Sequence, residues 1–335
     1  MSPLSLYALV VVLLRCVSAL PGSAPISSRS PGIRTVFEFA NGTWVENLAV
    51  RRNGNLLVTL IDRPELYQVD PFNNTSILIH RFEDDDVVSL LGISEVSDDV
   101  FAIIAGNFSI ENHSSEAKSY SIWQADFNQG GKCERTSEVE PIPQAEFLNG
   151  MTTLSYPNDT LLIADSGLGL VWRLNVRTRE YEVVLEDETM KPVAGSIIAL
   201  GINGIHVLGD YVYYVNAFQD LLCRVQIDTA TGKAIGPYEI ISRDVPGDDF
   251  TITPDGTSFV AENFENTVDK VYLNGTRQFV AGGQNSTLIP GPTSAAFGRT
   301  VSDRGTLYVT TAGGQGDPVN GYYTEGGKVV AIEIY

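Results

Sequence analysis

The stretch ALGINGIHVLGDYVYYVN, from Ala199 to Asn216, indicates which class of fold the chain adopts. A polar Asn-Gly pair at Asn203 is followed by a short apolar run, by a Gly-Asp pair at 209–210, and by a second run rich in Tyr and Val. Tyr, Val and Ile favour extended strands, and a Gly-Asp pair between two such runs is typical of a tight turn. The stretch therefore predicts two antiparallel β-strands joined by a short turn.

The same pattern of strand, turn and strand occurs six times along the chain. The six units begin at Glu46, Leu91, Asn149, Asn203, Asp248 and Thr293, so that successive starts are 45, 58, 54, 45 and 45 residues apart. Each pair of strands is followed by a third apolar segment: ELYQVD, SIWQADF, LVWRLNV, LLCRVQI, TVDKVYL and KVVAIEI. A fourth, weaker segment often follows, as in SILIHRF and YEVVLE. Four short strands per unit at this period predict an all-β, six-bladed β-propeller with four-stranded antiparallel blades over residues 33–335.

The two ends of this ring are predicted to be joined by strand pairing. RTVFEFA (Arg34–Ala40) precedes the first unit, and we expect it to form the outermost strand of the last blade, beside GKVVAIEIY. Such a closure removes exposed strand edges. The alternative, two packed β-sandwiches, accounts poorly for the even spacing of the units.

Residues 1–19 are interpreted as a signal peptide, since LYALVVVLL is a short apolar run followed by the small residues of VSA. Residues 20–32 would be a linker, and Pro21, Pro25 and Pro31 disfavour the alternative of a buried N-terminal helix. Eight sequons for N-glycosylation support a protein of the secretory pathway. They lie at Asn41, Asn73, Asn74, Asn107, Asn112, Asn158, Asn274 and Asn285.

Two cysteines remain after the predicted signal peptide. Cys16 would leave with the signal peptide, so Cys133 and Cys223 could form a disulfide or remain two separate buried thiols.

The formal net charge of −19 argues against nucleic acid or an anionic membrane as a partner, since both are negatively charged. No segment after residue 19 reaches the length of a membrane span.

Four polar residues share one position in the repeat. Glu46, Asn149, Asn203 and Asp248 each lie just before the inner strand of a different unit, which in a propeller is the mouth of the central channel. Their side chains should converge on the axis, and we predict them to be the catalytic residues. Such oxygen-bearing side chains also suit a hard cation such as Ca²⁺. Taken singly, an Asn-Gly pair is more often turn chemistry, and Asp248 could lie in a solvated turn.

Residues that follow the second strand of a blade should line the same mouth and bind substrate. The residues predicted on this basis are Asp165, Asn216, Phe218, Glu262, Asn263 and Phe264, and Trp44, just before the first inner strand, is added to them. The aromatic residues would suit flat or terpenoid ligands, with ordinary packing between blades as the alternative for each. His206, inside an apolar strand, is expected in the core or on the channel wall.

These motifs resemble those of the senescence-marker-protein/gluconolactonase family, which includes regucalcin. WVENLAVRRNGNLLVT is similar to the Glu motif of its first blade, LNGMTTL and INGIHVLGDYVYYVN to its Asn-Gly motifs, and GDDFTITPDGTSFVAE to its Asp motif. The resemblance implies Glu46, Asn203 and Asp248 as metal ligands. It also implies that Asn149 binds substrate or the water on the metal, and that Asp248 acts as a general base. Asn47 and Asp249 stand where that family usually has Gly.

A fungal group of secreted propellers is more similar still. The resemblance lies in LLCRVQID, VAENFENTVDKVYLNGT and TTAGGQGDPVNGYYTEGGKVVAI, together with the signal peptide and the sequons. Some members are hetero-Diels-Alderases of meroterpenoid biosynthesis, which join a quinone methide from a tropolone or related polyketide to a sesquiterpene alkene. This implies a secreted enzyme with small apolar substrates, terpenoid and polyketide. It would require no cofactor, with a divalent cation optional.

Two other functions stay open at this point. A metal-dependent lactonase or esterase of the gluconolactonase type would use the same polar residues around a cation. A propeller that binds a ligand without catalysis would also fit, because a fold alone does not determine a function. H-E-x-x-H and G-x-S-x-G motifs are absent from the sequence.

Overall fold

Six four-stranded antiparallel sheets form a closed ring in the computed structural model, which describes residues 32–83, 87–128, 133, 135–155, 159–196 and 198–335. The inner strand of each sheet contacts the inner strands of its two neighbours around a central channel. The predicted all-β, six-bladed propeller is thereby confirmed. The predicted signal peptide (1–19), residues 20–31 of the predicted linker and the sequon at Asn158 lie outside the described residues.

The first three blades follow the chain in order. Strand β1 (Ile33–Asn41) precedes blade 1, which contains β2 (Val45–Val50), β3 (Leu56–Leu60), β4 (Glu65–Asp70) and β5 (Thr75–Arg81). Blade 2 contains β6 (Ser89–Ser97) and β7 (Val100–Gly106), then an inserted hairpin of β8 (Phe108–Ser109) and β9 (Ser114–Ser115), then β10 (Ser121–Asp126) and β11 (Arg135–Pro141). Blade 3 contains β12 (Leu148–Ser155), β13 (Thr160–Asp165), β14 (Leu170–Asn175) and β15 (Tyr181–Glu186).

The remaining blades complete the ring. Blade 4 contains β16 (Ile202–Leu208), β17 (Tyr211–Asn216), β18 (Leu221–Ile227) and β19 (Ala234–Arg243). Blade 5 contains β20 (Asp249–Ile252), β21 (Ser258–Glu262), β22 (Thr267–Val271) and β23 (Arg277–Gly282). Blade 6 contains β24 (Pro292–Phe297), β25 (Thr306–Thr311), β26 (Gly326–Glu333) and β1. Short 3₁₀ turns occur at Glu188–Met190 and Ala217–Gln219.

Strand β1 closes the ring, as the sequence predicts. It pairs antiparallel with β26, from Ile33 opposite Ile332 to Asn41 opposite Gly326. The first strand in the chain is therefore the outer strand of blade 6, and the other three strands of that blade are the last three in the chain. Since these hydrogen bonds join the two ends of the ring, opening it requires breaking a whole strand pairing.

The stretch from Ala199 to Asn216 forms the β16–β17 hairpin. Leu208 pairs with Tyr211, and Gly209 between them has a φ of +62°, a left-handed conformation that glycine adopts without a steric cost. Every residue of β17 after Tyr211 is buried. Neighbouring blades cover both faces of a second strand, which explains why YVYYV is apolar at consecutive positions instead of alternating.

The core lies between blades, and one buried ion pair ties blade 1 to blade 2. The Arg51 guanidinium donates to both carboxylate oxygens of Asp99 at 2.9 and 2.6 Å, and it lies over the ring of Phe127 at 4.1 Å. Arg51 is 1% exposed and Asp99 is 2% exposed. By contrast, the outer strand β5 has no fully buried residue. Contacts between blades therefore hold the ring together along with the pairing of β1 and β26.

The two cysteines of the propeller do not form a disulfide with each other. Cys223 is buried in β18, in a cluster with Val171 and Val212, whereas Cys133 packs in another cluster with Phe82 and Phe101. The two cysteine side chains therefore lie in different clusters of the propeller. None of the helical turns in the described segments is long and apolar enough to cross a membrane.

Candidate active site

A cavity opens at one end of the central channel. It encloses about 660 Å³ of space free of protein atoms, part of which is solvent at its mouth. Its wall has a polar part, an aliphatic and aromatic part, and three aromatic side chains from turns at the mouth.

The polar part of the wall comes from four different blades. Glu46 lies on β2, Asn149 on β12, Asn203 on β16 and Asp248 immediately before β20, and all four line the cavity. The first three are buried, and Asp248 is partly exposed to the cavity. The structure thus brings the four residues together on the propeller axis. Their catalytic role stays a prediction.

Hydrogen bonds orient both carboxyl groups. Asn203 Nδ2 donates to Asp248 Oδ1 at 2.6 Å, and Asn263 Nδ2 donates to Asp248 Oδ2 at 3.0 Å. Trp44 Nε1 donates to Glu46 Oε2 at 2.7 Å. In the described part of the chain, neither Glu46 nor Asp248 has a Lys or Arg as an electrostatic partner. Neutral donors alone hold the two carboxyl groups in place.

A glycine follows each asparagine because neighbouring inner strands approach closely there. A Cβ atom at Gly150 would lie 2.3 Å from the backbone oxygen of Asn203, and one at Gly204 would lie 2.2 Å from Oδ1 of Asp249. Neither glycine has a positive φ. The Asn-Gly pairs are therefore not turns. They are positions where one blade packs its backbone directly on the next.

The surroundings make both carboxyl groups unusually weak acids. Burial raises the pKa of Glu46 well above its usual value, and the nearby Asp248 carboxyl raises it further, against the opposing hydrogen bond from Trp44. Burial raises the pKa of Asp248 to about 7, against the opposing hydrogen bond from Asn263. The raised pKa favours the protonated form of Glu46, and Asp248 can exchange a proton near neutral pH. Two such groups can supply an acid and a base at one site.

The aliphatic and aromatic part of the wall was not predicted from the sequence. Phe108 and Ile110 come from the β8–β9 hairpin, Phe147 directly precedes β12, and Ile198 and Leu200 lie between β15 and β16. The rings of Phe108 and Phe147 stack with centroids 4.8 Å apart. A signal was present in the repeat, since the second and third units are 58 and 54 residues long instead of 45. The hairpin and the segment between β15 and β16 lie within these longer units.

Three aromatic residues predicted to bind substrate do line the cavity. Phe218 lies in the 3₁₀ turn after β17, Phe264 follows β21, and their rings meet edge to face at 6.1 Å. Trp44 precedes β2 and lines the cavity as well. Asn263, which donates to Asp248, also belongs to the wall. That these residues bind substrate stays a prediction.

Asp165, Asn216 and Glu262, which were predicted to bind substrate, do not line this cavity, so the place predicted for them at its wall is wrong. Asp165 accepts hydrogen bonds from three backbone N–H groups and from the indole of Trp172. Asn216 donates to two backbone oxygens of the segment between β15 and β16. Glu262 forms an ion pair with Arg277. These side chains fold back onto neighbouring segments because unpaired polar groups at the strand ends need partners.

The polar part of the wall has the donor types that a hard cation requires. Glu46 and Asp248 offer carboxylate oxygens, and Asn149 and Asn203 offer amide oxygens. A buried pair of carboxylates without a counter-charge costs free energy, so a divalent cation held by these four residues would fit. No cluster of three or more His, Cys, Asp and Glu side chains suited to a metal exists among the described residues. A cation here would therefore depend on the asparagines.

Similar sequences were found in two fungal proteins. The chain is 31% identical over 333 residues to a protein of Phoma sp named "Putative hetero-Diels-Alderase", and the alignment covers 91% of this chain and 94% of that protein. It is 30% identical over 314 residues to a protein of Sarocladium schorii with the same designation, covering 83% of this chain and 77% of that protein. No model of a protein family matches the chain.

Solved propellers are similar in fold. Regucalcin from Agrobacterium tumefaciens, a calcium-binding protein, superposes with a TM-score of 0.62 at 17% identity, over 91% of this chain and 94% of that one. A luciferin-regenerating enzyme gives a TM-score of 0.64 at 14% identity, over 90% and 95% of the two chains. At such low identity the likeness concerns the fold alone. Because the Phoma protein matches along nearly its whole length at 31% identity, the chain belongs to the hetero-Diels-Alderase family of enzymes.

Proposed function

We propose that the protein catalyses an intermolecular hetero-[4+2] cycloaddition. The heterodiene would be a quinone methide derived from a tropolone or related polyketide, and its partner would be a sesquiterpene alkene. One observation carries the proposal: a single cavity combines a polar part, which includes Glu46 and Asp248, with a wall of aliphatic and aromatic side chains. A heterodiene carries an oxygen atom that needs polar partners, whereas a terpenoid alkene needs apolar surface.

The apolar wall would act by holding the two reactants together. A cycloaddition forms its new bonds without proton transfer, so near-attack geometry supplies both rate and stereochemistry. The stacked rings of Phe108 and Phe147 offer a flat surface, and Ile198 and Leu200 offer aliphatic contact. Water is displaced from this surface when apolar substrates bind, which favours binding.

The polar part would act on the oxygen of the heterodiene. Protonated Glu46 would donate a hydrogen bond to that oxygen, which withdraws electron density from the heterodiene and speeds its reaction with an electron-rich alkene. The same two carboxyl groups could form the quinone methide from an alcohol precursor. Glu46 would give its proton to the departing hydroxyl as the C–O bond breaks. Asp248 would take the proton of the ring hydroxyl, water would leave, and transfer of that proton from Asp248 to Glu46 would restore the protonated Glu46 for the cycloaddition.

The test is a reconstitution with purified protein. Quinone-methide precursor and sesquiterpene alkene are incubated with and without protein, and cycloadduct yield and stereochemistry are followed by chiral chromatography. We expect a faster reaction and one dominant stereoisomer, both retained after chelation with EDTA. A yield and stereoisomer ratio equal to the uncatalysed background would refute the proposal.

A lactonase is the second candidate, and the oxygen donors around Glu46 and Asp248 favour it. When bound, a divalent cation would polarise a carbonyl group and lower the pKa of water. This reaction would depend on the metal, so EDTA should abolish hydrolysis of a sugar lactone and added Ca²⁺ should restore it. Metal-dependent hydrolysis without any effect on the cycloaddition would replace the first proposal with this one.

A further inference from the structure

Asp249 follows Asp248 in the chain but does not line the cavity. It is the first residue of β20, and its carboxylate contacts side chains of blades 1, 4 and 6, which places it near the propeller axis. It is 7% exposed. It is also one of the two positions where the sequence departs from the glycine typical of the gluconolactonase family.

Four blades meet at this one carboxylate. Asn47 Nδ2 on β2 donates to Oδ2 at 3.0 Å, and Ser294 Oγ on β24 donates to the same oxygen at 2.8 Å. His206 Nε2 on β16 lies 3.2 Å from Oδ1, which also accepts the N–H of Phe250 at 2.8 Å. The carboxylate can approach β16 this closely only because Gly204 lacks a side chain.

This cluster is not arranged as a hydrolytic triad. The hydroxyl of Ser294 donates a hydrogen bond to Oδ2 of Asp249, and His206 contacts the other oxygen of the same carboxylate. In a triad the imidazole lies between the serine and the acid and takes the proton of the hydroxyl. Here the acid lies between the other two, so the serine is not activated.

Asp249 and its partner Asn47 are each the direct neighbour of a carboxyl residue of the cavity. Asn47 follows Glu46 on β2, and Asp249, the first residue of β20, follows Asp248. Glu46 and Asp248 repel each other when ionised, yet no backbone pairing joins β2 to β20, which belong to different sheets. The Asn47–Asp249 hydrogen bond links these two strands directly. If Asp249 served only to fill space, an apolar side chain at this position would have a lower free-energy cost.

We propose that Asp249 is a positioning residue, which holds the strands carrying Glu46 and Asp248 in a fixed arrangement on the propeller axis. Its kinetic consequence rests on the proposed cycloaddition. Its structural consequence does not, because Glu46 accepts a hydrogen bond from the Trp44 indole, and that N–H reports the position of the Glu46 carboxyl group.

The test uses indole N–H resonances of the full protein labelled with ¹⁵N-tryptophan. The chain has three tryptophans. Trp123 donates its indole N–H to Ser121 and Trp172 donates to Asp165, so both serve as internal references that share no partner with Asp249. Trp44→Phe assigns the Trp44 signal. The variants are Asp249→Asn and, from the other strand, Asn47→Ala. Asp269→Asn is the matched control, since Asp269 is a buried aspartate of the same blade that pairs with Arg277.

We expect Asp249→Asn and Asn47→Ala to shift the Trp44 resonance while the Trp123 and Trp172 resonances stay in place, and we expect the control to shift none. The kcat of cycloaddition should fall by about tenfold to a hundredfold, with little change in KM for the alkene, since displacement of reacting groups by about 1 Å has costs of this size. An unmoved Trp44 resonance together with an unchanged kcat in either folded variant would overturn the proposal. If the wild-type protein shows no cycloaddition, the proposed function fails, and the Trp44 resonance alone still decides the positioning role.

Discussion

Asn203 Nδ2 lies 2.6 Å from Oδ1 of Asp248, although the two residues are 45 positions apart in the chain. The distance along the chain is one full repeat of the propeller. Each residue stands at the start of its blade's inner strand, and the inner strands of adjacent blades lie side by side around the channel. Residues one repeat apart in the sequence therefore form a hydrogen bond in the candidate active site.

Replacing Asp248 by asparagine should remove most of the activity. Asn keeps the size of the side chain but cannot take up a proton, and a positioned acid or base contributes about 10²–10⁴-fold to a rate. Initial rates of cycloadduct formation from the alcohol precursor measure the loss. Asp210→Asn, at an exposed turn of the neighbouring blade, is the control and should keep wild-type activity. Rates within a few-fold of wild type for Asp248→Asn would exclude a role in proton transfer.

The same substitution should stabilise the protein, and more so at high pH. Burial raises the pKa of Asp248 to about 7 from a usual 3.8. Stability that comes from the protonated group is complete below pH 3.8 and is lost as the pH rises to 7. The Asp248→Asn variant would not suffer that loss, because an amide does not titrate. Thermal unfolding in EDTA should therefore show a larger gain in Tm at pH 8 than at pH 5, whereas equal gains would mean that the carboxyl group titrates normally.

Truncating an aromatic side chain of the cavity wall should weaken binding of the alkene substrate. Phe108→Ala removes the ring that stacks on Phe147, and we expect KM for the alkene to rise about tenfold, which corresponds to about 1.4 kcal/mol. The ratio of stereoisomers should also fall, because the alkene is held less firmly. Phe279→Ala, at a ring that is 59% exposed, provides the comparison and should change neither value. Identical kinetics for the two variants would place the alkene elsewhere.

Two adjacent ion pairs should differ greatly in their contribution to stability. Asp99→Ala leaves the buried Arg51 without its carboxylate and should lower the free energy of unfolding by about 3–5 kcal/mol. Asp98→Ala breaks the exposed pair with Arg52 and should cost less than about 1 kcal/mol. Urea denaturation measures both values. Similar losses would show that the Arg51–Asp99 pair does not hold blade 1 to blade 2.

Cys223 should be unreactive in the folded protein. Its side chain is fully buried, and burial raises the pKa of the thiol to about 12, so little thiolate forms at pH 8. Iodoacetamide should modify Cys223 only after unfolding in urea, as followed by peptide mass spectrometry. A peptide pair linked through Cys133 and Cys223 under non-reducing conditions would contradict the arrangement of the two thiols.

The sequence alone was sufficient to predict the ring and the position of its polar residues. Strand and turn residues act locally, so a hairpin such as β16–β17 is recognisable wherever it occurs, and its repetition gives the blade count. The strand at Arg34–Ala40 could be assigned to the last blade because it precedes the first of the six repeat units and belongs to none of them. The convergence of Glu46, Asn149, Asn203 and Asp248 followed from their shared place in the repeat, since equivalent residues of a ring lie at equal distances from its axis.

Only the tertiary structure decided what these residues contact. Phe108 and Ile198 lie in segments that add to the regular repeat, and nothing within such a segment determines that it folds over the channel. Asp165, Asn216 and Glu262 stand at strand ends, but their side chains turn to backbone and charged partners away from the cavity. Asp249 joins four blades for the same reason. Strand formation depends on neighbours along the chain, whereas the direction of a polar side chain at a strand end depends on the partners that the folded chain brings within hydrogen-bonding distance, in the same blade or in another.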